Sequence, residues 1–293
     1  SSPVVQSKHL PGQRAGLLIL GVPSQENVKR ATGENDFMSS DNTIDAPASA
    51  NCRGKASADI LLVSANRMTF PYPVYPIGIA HIMGALQHHG HRVDHVDILA
   101  SGGCTTLANF LREKCYDIIG ISIRNIDTVD SASPHELLHD ISEVLEYIRK
   151  SSTAPIVLGG PGFSIMPQRL LDHFKADYGI VGEGEEAFPL LIAKIMAGQR
   201  PEQQLFAKSL LAFPGYQTAF SSAVTPYYLK HGGMLNVQTK RGCNYGCVYC
   251  SYPTIEGRNL GHRDPVNVVE EITRLSQQFG ARYIFFTDAV FND

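Results

Sequence analysis

The sequence has no tryptophan, no excess of either charge and no long apolar run. Its 25 Lys and Arg residues against 28 Asp and Glu residues give a formal net charge of −3, so no basic field favours nucleic acid or an anionic membrane as a partner. The longest apolar run, Ala15–Val22, is far shorter than the roughly 18–20 residues that a membrane helix needs. With 43% hydrophobic and 18% charged residues, the composition excludes a collagen, a coiled coil and a transmembrane protein.

Cysteine is scarce, with six residues in a chain of 293, which excludes a disulfide scaffold. Three of them crowd together as Cys243, Cys247 and Cys250. This clustering indicates metal ligation in a reducing compartment such as the cytoplasm. No segment has the order of a signal peptide. The remaining cysteines are scattered and are expected to be ordinary free thiols: Cys52, Cys104 and Cys115.

The length has room for about two domains of 100–200 residues each. Residues 1–57 differ from the rest, because Gln25–Ala58 is rich in Ser, Asn, Asp, Ala and Gly, and they are predicted to form a flexible leader. Within this leader, Leu17–Leu20 is equally compatible with an isolated strand and with a short apolar segment in a disordered tail.

A regular alternation of apolar runs and helical stretches begins at Asp59. Five runs end in turn-type residues, as strands do: Ile60–Val63, Val93–Ile98, Asp117–Ile123, Pro155–Leu158 and Tyr178–Val181. Parallel neighbouring strands need crossover connections, so this alternation predicts a Rossmann-like, five-stranded parallel α/β domain over residues 58–200.

Two of the intervening helices are predicted in detail. Pro76–His89 places its apolar residues on one face. The other helix carries an apolar stripe at helical spacing: Leu137, Ile141, Val144 and Ile148. Its start is predicted from Ser133 as N-cap, Pro134 at the first position and Glu136 closing a capping box.

Residues 201–233 lose periodicity and contain three prolines and a Gly-Gly pair, so they are predicted to be a linker. A strand is predicted at Leu235–Thr239, before the cysteine-rich loop. A helix follows with Asp264 as N-cap and Gly280 at its end, and then a second strand at Tyr283–Thr287. Residues 234–293 therefore start a second β-loop-α-β unit.

The cysteine-rich loop has the spacing C-x3-C-x2-C. Three thiolates on a glycine-containing loop can ligate one face of an iron–sulfur cluster. A 4Fe–4S cube has four irons, so three cysteines leave one iron open to a substrate or cosubstrate, whereas an electron-transfer ferredoxin would supply a fourth cysteine. The alternative is a structural zinc site completed by His262 or another residue.

The cysteine-rich loop and its surroundings resemble those of the radical S-adenosylmethionine (radical SAM) enzymes. Shared features are the cysteine spacing and the aromatic Tyr249 before the last cysteine, and the resemblance continues through Tyr252–Arg258, Arg263–Ile272 and Phe285–Asn292. It implies the start of a (β/α)6 partial barrel. It also implies that Cys243, Cys247 and Cys250 form the catalytic 4Fe–4S centre, that its open iron binds SAM, and that Tyr249 and Asp288 contact the SAM adenine and amine.

Ligands of parallel sheets bind at the carboxyl ends of the strands, and two glycine-rich loops follow predicted strands here, Gly159–Gly162 and Gly182–Glu185. Such loops allow close backbone approach to a flat or phosphorylated ligand, although tight turns also use glycine. With Tyr75–Ala80 and Gly120–Ile123, they resemble the cobalamin-binding domain fused ahead of many radical SAM domains. The resemblance implies cobalamin contacts at these positions: Ser122, Gly159, Gly160, Gly162, Gly182 and Glu183. Arg124 and Asn125, directly after the third predicted strand, are candidates for polar contacts with cobalamin, and helix capping by Asp127 or Asp130 is the alternative role of this segment.

The loop after the first strand, Asn66–Pro73, departs from methyltransferase-type cobalamin domains because it has no histidine to bind cobalt. Arg67 or Tyr75 is a candidate for the lower face of the corrin instead. Five histidines between His81 and His95 are expected to be ordinary side chains rather than a metal site.

Together the resemblances imply a cobalamin-dependent radical SAM enzyme that cleaves SAM reductively and functionalises an unactivated carbon, most commonly by methyl transfer through methylcobalamin. Cyclisation or rearrangement is an alternative reaction, and so is methylthio transfer, although a second cysteine triad is lacking. A zinc- or cluster-bearing binding module is the alternative without catalysis. The expected partners are a small-molecule or lipid-like natural-product substrate and an electron donor such as flavodoxin or ferredoxin, without nucleic acid.

A barrel of about six β/α units needs roughly 200 residues, whereas about 60 follow position 233. The first residue is Ser1 rather than Met, and the last, Asp293, directly follows a predicted strand. We therefore expect a fragment in which the cysteine-rich loop is exposed.

Overall fold

The computed structural model describes residues 57–128, 137–199, 201–206 and 215–291, all of which belong to one unit, Ala46–Asp293. Its centre is a parallel sheet of six strands: β1 (Asp59–Ser64), β2 (Arg92–Asp97), β3 (Ile118–Ser122), β4 (Ile156–Gly159), β5 (Tyr178–Val181) and β6 (Gln204–Phe206). Their spatial order is β2-β1-β3-β4-β5-β6. The predicted parallel α/β fold is confirmed, with β6 added at the edge of the five predicted strands.

Six helices accompany this sheet: α1 (Ile77–His88), α2 (Cys104–Glu113), α3 (Leu138–Ser151), α4 (Pro161–Ile165), α5 (Pro167–Phe174) and α6 (Ala187–Met196). Both faces of the sheet are buried, because successive strand residues belong to different core clusters. Leu61 and Val63 pack with α2 and α3, whereas Ile60 and Leu62 pack with α1 and α6. This burial on both faces explains why the strands are continuous apolar runs rather than alternating patterns.

The predicted stripe on α3 is confirmed, because all four of its residues are buried: Leu137, Ile141, Val144 and Ile148. The predicted capping box, Ser133 to Glu136, lies outside the described residues, as does the leader up to residue 56.

The predicted linker, residues 201–233, contains more regular structure than its composition indicates. It holds β6, which pairs with β5, and helix α7 (Thr225–Gly232). With three residues, β6 is too short to show a period, and Pro226 occupies the first turn of α7, where proline is tolerated. The segment also contacts α1, because the Ala219 amide donates a hydrogen bond to the Ala80 carbonyl at 2.9 Å.

The remaining elements form the predicted second β-loop-α-β unit. They are β7 (Leu235–Val237), β8 (Lys240–Arg241), helix α8 (Tyr252–Ile255), β9 (Gly261–His262), helix α9 (Pro265–Phe279) and β10 (Ile284–Phe286). Strands β7 and β10 pair in parallel. The predicted helix ends are confirmed: the Asp264 side chain accepts from the Val266 amide, and Gly280 ends α9 with φ 72°.

None of the helices within the described ranges has both the length and the apolar character that crossing a membrane requires.

Candidate functional site

Two loops meet at the carboxyl edge of the main sheet, one after β3 and one after β4. The Gly162 amide donates to the Ile123 carbonyl at 2.9 Å. Gly160 has φ +97°, and a Cβ there would lie 2.7 Å from the Ile123 oxygen and 3.0 Å from Ser122 Oγ. Close backbone packing therefore requires glycine at these positions. Ser122, Gly159 and Gly160 are half-buried at this edge of the sheet.

Asn125, in the loop after β3, holds an unused acceptor. Its Oδ1 is buried and has no hydrogen-bond partner among the described residues. A buried amide oxygen without a donor is costly, so this atom fits a ligand that brings an N–H group. Within the described part of the chain, the neighbouring Arg124 donates a long bond, 3.5 Å, to the Val74 carbonyl, and burial lowers the pKa of its guanidinium. Both predicted residues thus lie at this edge with polar groups available.

The loop after β5 is tied to the strand that precedes the cysteines. Arg241 Nη2 lies 2.5 Å from Glu185 Oε1, and Arg241 Nη1 lies 3.9 Å from Glu183 Oε1, with all three side chains buried. Burial alone would lower the pKa of Arg241, but the surrounding carboxylates, Glu185 foremost with Glu183 and Glu256, together raise it. Gly182, with φ +79°, starts this loop and donates its amide to Ser164 Oγ at 2.9 Å. Glu183, predicted to contact cobalamin, therefore faces a guanidinium of the same chain.

The cysteine-rich loop, expected to be exposed, begins buried at Cys243 and is exposed from residue 244 to residue 249. Cys243 is buried and its amide donates to the Gly257 carbonyl at 3.1 Å. The loop then turns outward, so that Cys247 is exposed and Cys250 is half-buried. Tyr249, predicted to lie near the SAM adenine, is 89% exposed.

The chemistry of this donor set fits an iron–sulfur cluster, because three free thiols share one short loop. Within the described ranges, no group of three His, Cys, Asp or Glu side chains converges as a single metal ion requires. An iron–sulfur cluster does not require such convergence, because each cysteine thiolate binds a different iron atom.

Asp288, predicted to contact the SAM amine, follows β10. Its Oδ1 accepts from the amides of Thr239 and Lys240 at 2.7 and 3.2 Å, and its Oδ2 accepts from Thr239 Oγ1 at 2.5 Å. The carboxylate therefore holds the turn between β7 and β8 in addition to any contact with a ligand.

The cysteine-rich loop lies against the carboxyl edge of the main sheet. Helix α8, directly after Cys250, contacts helix α4, which follows the Gly159-Gly160 pair. Tyr252 on α8 interacts electrostatically with Arg124 after β3. The two sets of predicted site residues are thus brought together by elements that are distant in the sequence.

Family comparisons agree with this division of the chain. Residues 63–192 match the model of the B12 binding domain, and residues 237–293 match that of the radical SAM superfamily. The chain belongs to the cobalamin-binding radical SAM family. These ranges hold the carboxyl-edge loops and the cysteine-rich loop, respectively, so the two halves of the site come from the two domains that define the family.

Named relatives of this family member include the tryptophan 2-C-methyltransferase of Streptomyces laurentii, 24% identical over 75% of this chain and 47% of the relative. The hopanoid C-2 methylase of Rhodopseudomonas palustris is 30% identical over 46% of this chain and 25% of the relative. The chain spans about half, or less, of the length of these curated relatives.

Among solved structures, the radical SAM methyltransferase TsrM of Kitasatospora setae, with tryptophan and a SAM analogue bound, superimposes with a TM-score of 0.70. The identity is 27%, and the match covers 80% of this chain and 48% of TsrM. A second TsrM structure carries cobalamin and a [4Fe-4S] cluster.

Sequence reasoning missed the polar network beneath the cysteine-rich loop of this family member. Arg241 Nε donates to Gln238 Oε1 at 2.9 Å, and Gln238 Nε2 donates to Glu256 Oε1 at 3.1 Å. Burial raises the pKa of Glu256, whose Oε2 accepts from the Gly242 amide at 3.2 Å. The only signal was the position of Arg241 immediately before Gly242 and Cys243.

The two candidates for the corrin lower face have other contacts. Tyr75 is buried and accepts from the Ser221 amide at 3.0 Å. Arg67 pairs with Asp140 and Glu143 on α3, at 3.4 and 2.9 Å. The linker segment thus binds the Tyr75 hydroxyl, and the contacts of Arg67 hold the loop after β1 against α3.

Proposed function

We propose that this protein is a cobalamin-dependent radical SAM methyltransferase that acts on a small organic substrate. The observation that carries the proposal is the placement of the cysteine-rich loop against the carboxyl edge of the main sheet, through the contact of α8 with α4 and the Arg241–Glu185 ion pair. A reaction that uses two cofactors on one substrate needs their sites to face each other, and this arrangement meets that need.

In this proposal Cys243, Cys247 and Cys250 hold a [4Fe-4S] cluster, as the chemistry of the donor set supports. When bound, the cluster with SAM supplies one-electron chemistry at an unactivated carbon, and cobalamin supplies a transferable methyl group. Buried Cys243 anchors the loop, while exposed Cys247 can adjust to the cluster. Tyr249 and Asp288 are assigned to the SAM side.

The carboxyl edge supplies the cobalamin side. Asn125 Oδ1, the buried acceptor, and the Arg124 guanidinium would bind polar amide groups of the corrin. The remaining assigned residues line the slot with little side-chain bulk or lie at its border: Ser122, Gly159, Gly160, Gly162, Gly182 and Glu183.

The expected substrate is a small molecule or a lipid-like natural product, since the named relatives act on tryptophan and hopanoids. An electron donor such as flavodoxin or ferredoxin and a reducing compartment, the cytoplasm, complete the proposal, because free thiols persist where disulfides do not form. Methylthio transfer is disfavoured among the described residues. Cys104 is the first residue of α2, a helix of ten residues about 15 Å long, and Cys115 follows the other end of this helix, so the two thiols do not share a cluster.

Anaerobic reconstitution tests the cofactor assignment. We expect about four irons and four sulfides per chain and uptake of about one corrin. Cys247→Ala should abolish cluster assembly, whereas Cys115→Ala, which removes an exposed thiol outside the loop, should not.

Activity is then tested with SAM, a reductant and candidate substrates. We expect SAM consumption and a product heavier by one methyl group, both dependent on cluster and corrin. One zinc per chain without sulfide, or an intact cluster without corrin uptake, would contradict the proposal.

A further inference from the structure

A buried ion pair joins the two halves of the proposed site. Glu185 ends the glycine-rich loop after β5, and Arg241 stands two residues before the first cysteine. Their side chains are 4% and 8% exposed, and Arg241 Nη2 lies 2.5 Å from Glu185 Oε1. Such low exposure limits the screening of the pair by solvent, so each charge depends on the other for its stability in the interior.

The pair continues directly into the cysteine-rich loop. Through Gln238 and Glu256, the Arg241 guanidinium connects to the amide of Gly242. Gly242 has φ +88°, and a Cβ there would lie 2.0 Å from the Asn259 carbonyl oxygen, so this backbone packs closely against Asn259. Cys243 follows immediately, with its own amide bonded to Gly257.

The other end continues into the loop assigned to cobalamin. Glu183 lies 3.9 Å from Arg241 Nη1, and Gly184 packs so tightly that a Cβ would lie 2.8 Å from Ile82 Cδ1 of α1. A displacement of either loop therefore changes the geometry around the guanidinium, whose planar fork is specific in direction.

We propose that Glu185 and Arg241 are positioning residues that couple the two cofactor sites: order imposed on the cysteine-rich loop by cluster assembly is transmitted to the loop after β5 and tightens cobalamin binding. This inference rests on the proposed function. Because binding linkage is reciprocal, cobalamin also stabilises the cluster-loaded loop.

The test measures the Kd of hydroxocobalamin by equilibrium dialysis with the full chain in two anaerobic states, one cluster-loaded and one reduced but iron-free. For the wild type we expect the cluster-loaded state to bind about 5-fold more tightly or better, at the lower limit typical of coupled sites. In Glu185→Gln the ratio of the two Kd values, iron-free over cluster-loaded, should fall to near 1. Arg241→Lys keeps the positive charge but loses the planar guanidinium with its paired N–H donors, so it should give an intermediate ratio of the two Kd values.

The matched control is Glu271→Gln. Glu271 pairs with Arg263 at 2.7 Å, with side chains 2% and 9% exposed, but it does not belong to the loop after β5. Its variant should keep the wild-type ratio even if the protein is less stable. A purely structural role of Glu185 would change stability without changing the ratio of the two Kd values.

The outcomes separate this inference from the proposed function. Absence of corrin uptake in both states overturns both. Equal Kd values in the two states of the wild type overturn the coupling alone, and this measurement needs no variant to fold. A wild-type ratio in Glu185→Gln, or a lost ratio in Glu271→Gln, overturns the assignment to the Glu185–Arg241 pair.

Discussion

His95 on β2 is a buried base whose environment favours its neutral form. Its imidazole Nε2 lies 2.9 Å from Ser64 Oγ, and burial lowers the pKa of the ring to about 4. In the unfolded chain the pKa returns to about 6.5, so between pH 6.5 and 4 the unfolded state binds a proton that the folded state does not. Folding stability is therefore expected to fall as the pH drops through this window.

The predicted loss from His95 is about 2 kcal/mol of unfolding free energy between pH 7 and pH 5. Urea unfolding followed by circular dichroism at the two pH values measures it. His95→Asn should lose about that much less than the wild type over the same interval, whereas His139→Asn, at an exposed site on α3, should lose as much as the wild type. Equal losses in His95→Asn and the wild type would contradict the assignment.

Residue identity predicted chemistry where the chemistry is local in sequence. The cysteine spacing and the Asp264 cap each involve neighbours within a few positions, and the cap was predicted correctly. Arg241 and Glu185 are 56 positions apart, and neither spacing nor composition indicates which of the 28 acidic residues a given arginine meets. The network beneath the loop therefore required the structure.

Helix α1 and the segment after residue 215 pack backbone to backbone, and Gly84 makes this possible. A Cβ on Gly84 would lie 2.0 Å from the Gln217 carbonyl oxygen and 3.0 Å from its carbonyl carbon. Near this contact the Ala219 amide donates to the Ala80 carbonyl. Since backbone atoms cannot rotate away, an added methyl group must separate the two elements.

We predict that Gly84→Ala destabilises the protein by about 1–3 kcal/mol, as overpacking does, and speeds hydrogen exchange at the Ala219 amide. Gly78→Ala is the matched control on the same helix, because nothing lies within 4 Å of its added Cβ. Alanine favours helix over glycine by up to about 1 kcal/mol, so the control should be neutral or stabilising. Destabilisation of both variants alike would contradict the packing argument.

At the scale of elements, the strands of the main sheet were predictable because they are buried on both faces and are therefore continuous apolar runs. The short strand β6 and helix α7 were not. Three residues show no period, and the proline that suggested a linker at Pro226 belongs to the first turn of a helix. Local composition predicted a linker here. The pairing of β6 with β5 and the packing of the later part of the segment on α1 depend on residues distant in the sequence.

At the scale of the whole molecule, a third core cluster joins the cobalamin-binding domain to the radical SAM segment. Its members come from the start of α1, from α7 and from the second β-loop-α-β unit, and include Tyr75, Tyr228, Leu235 and Leu275. Tyr75 is stacked on Phe220, with ring centroids 4.8 Å apart, and edge-on to Tyr228, with centroids 5.4 Å apart. The two domains therefore share apolar burial as well as the Glu185–Arg241 pair.

Truncation of the Tyr75 side chain should consequently destabilise α7 and the radical SAM segment more than the main sheet of the cobalamin-binding domain. Tyr75→Ala removes a fully buried ring, a change that costs about 3–5 kcal/mol for a large aromatic side chain, and it deletes the acceptor of the Ser221 amide. We predict that hydrogen–deuterium exchange accelerates strongly in peptides from α7 and α9, which depend on this cluster, and weakly in peptides from β4, which lies in the separate sheet core. Tyr147→Ala, at a 42% exposed site on α3, should leave both sets unchanged. Equal acceleration in β4 and α9 would show instead that the domains unfold as one cooperative unit.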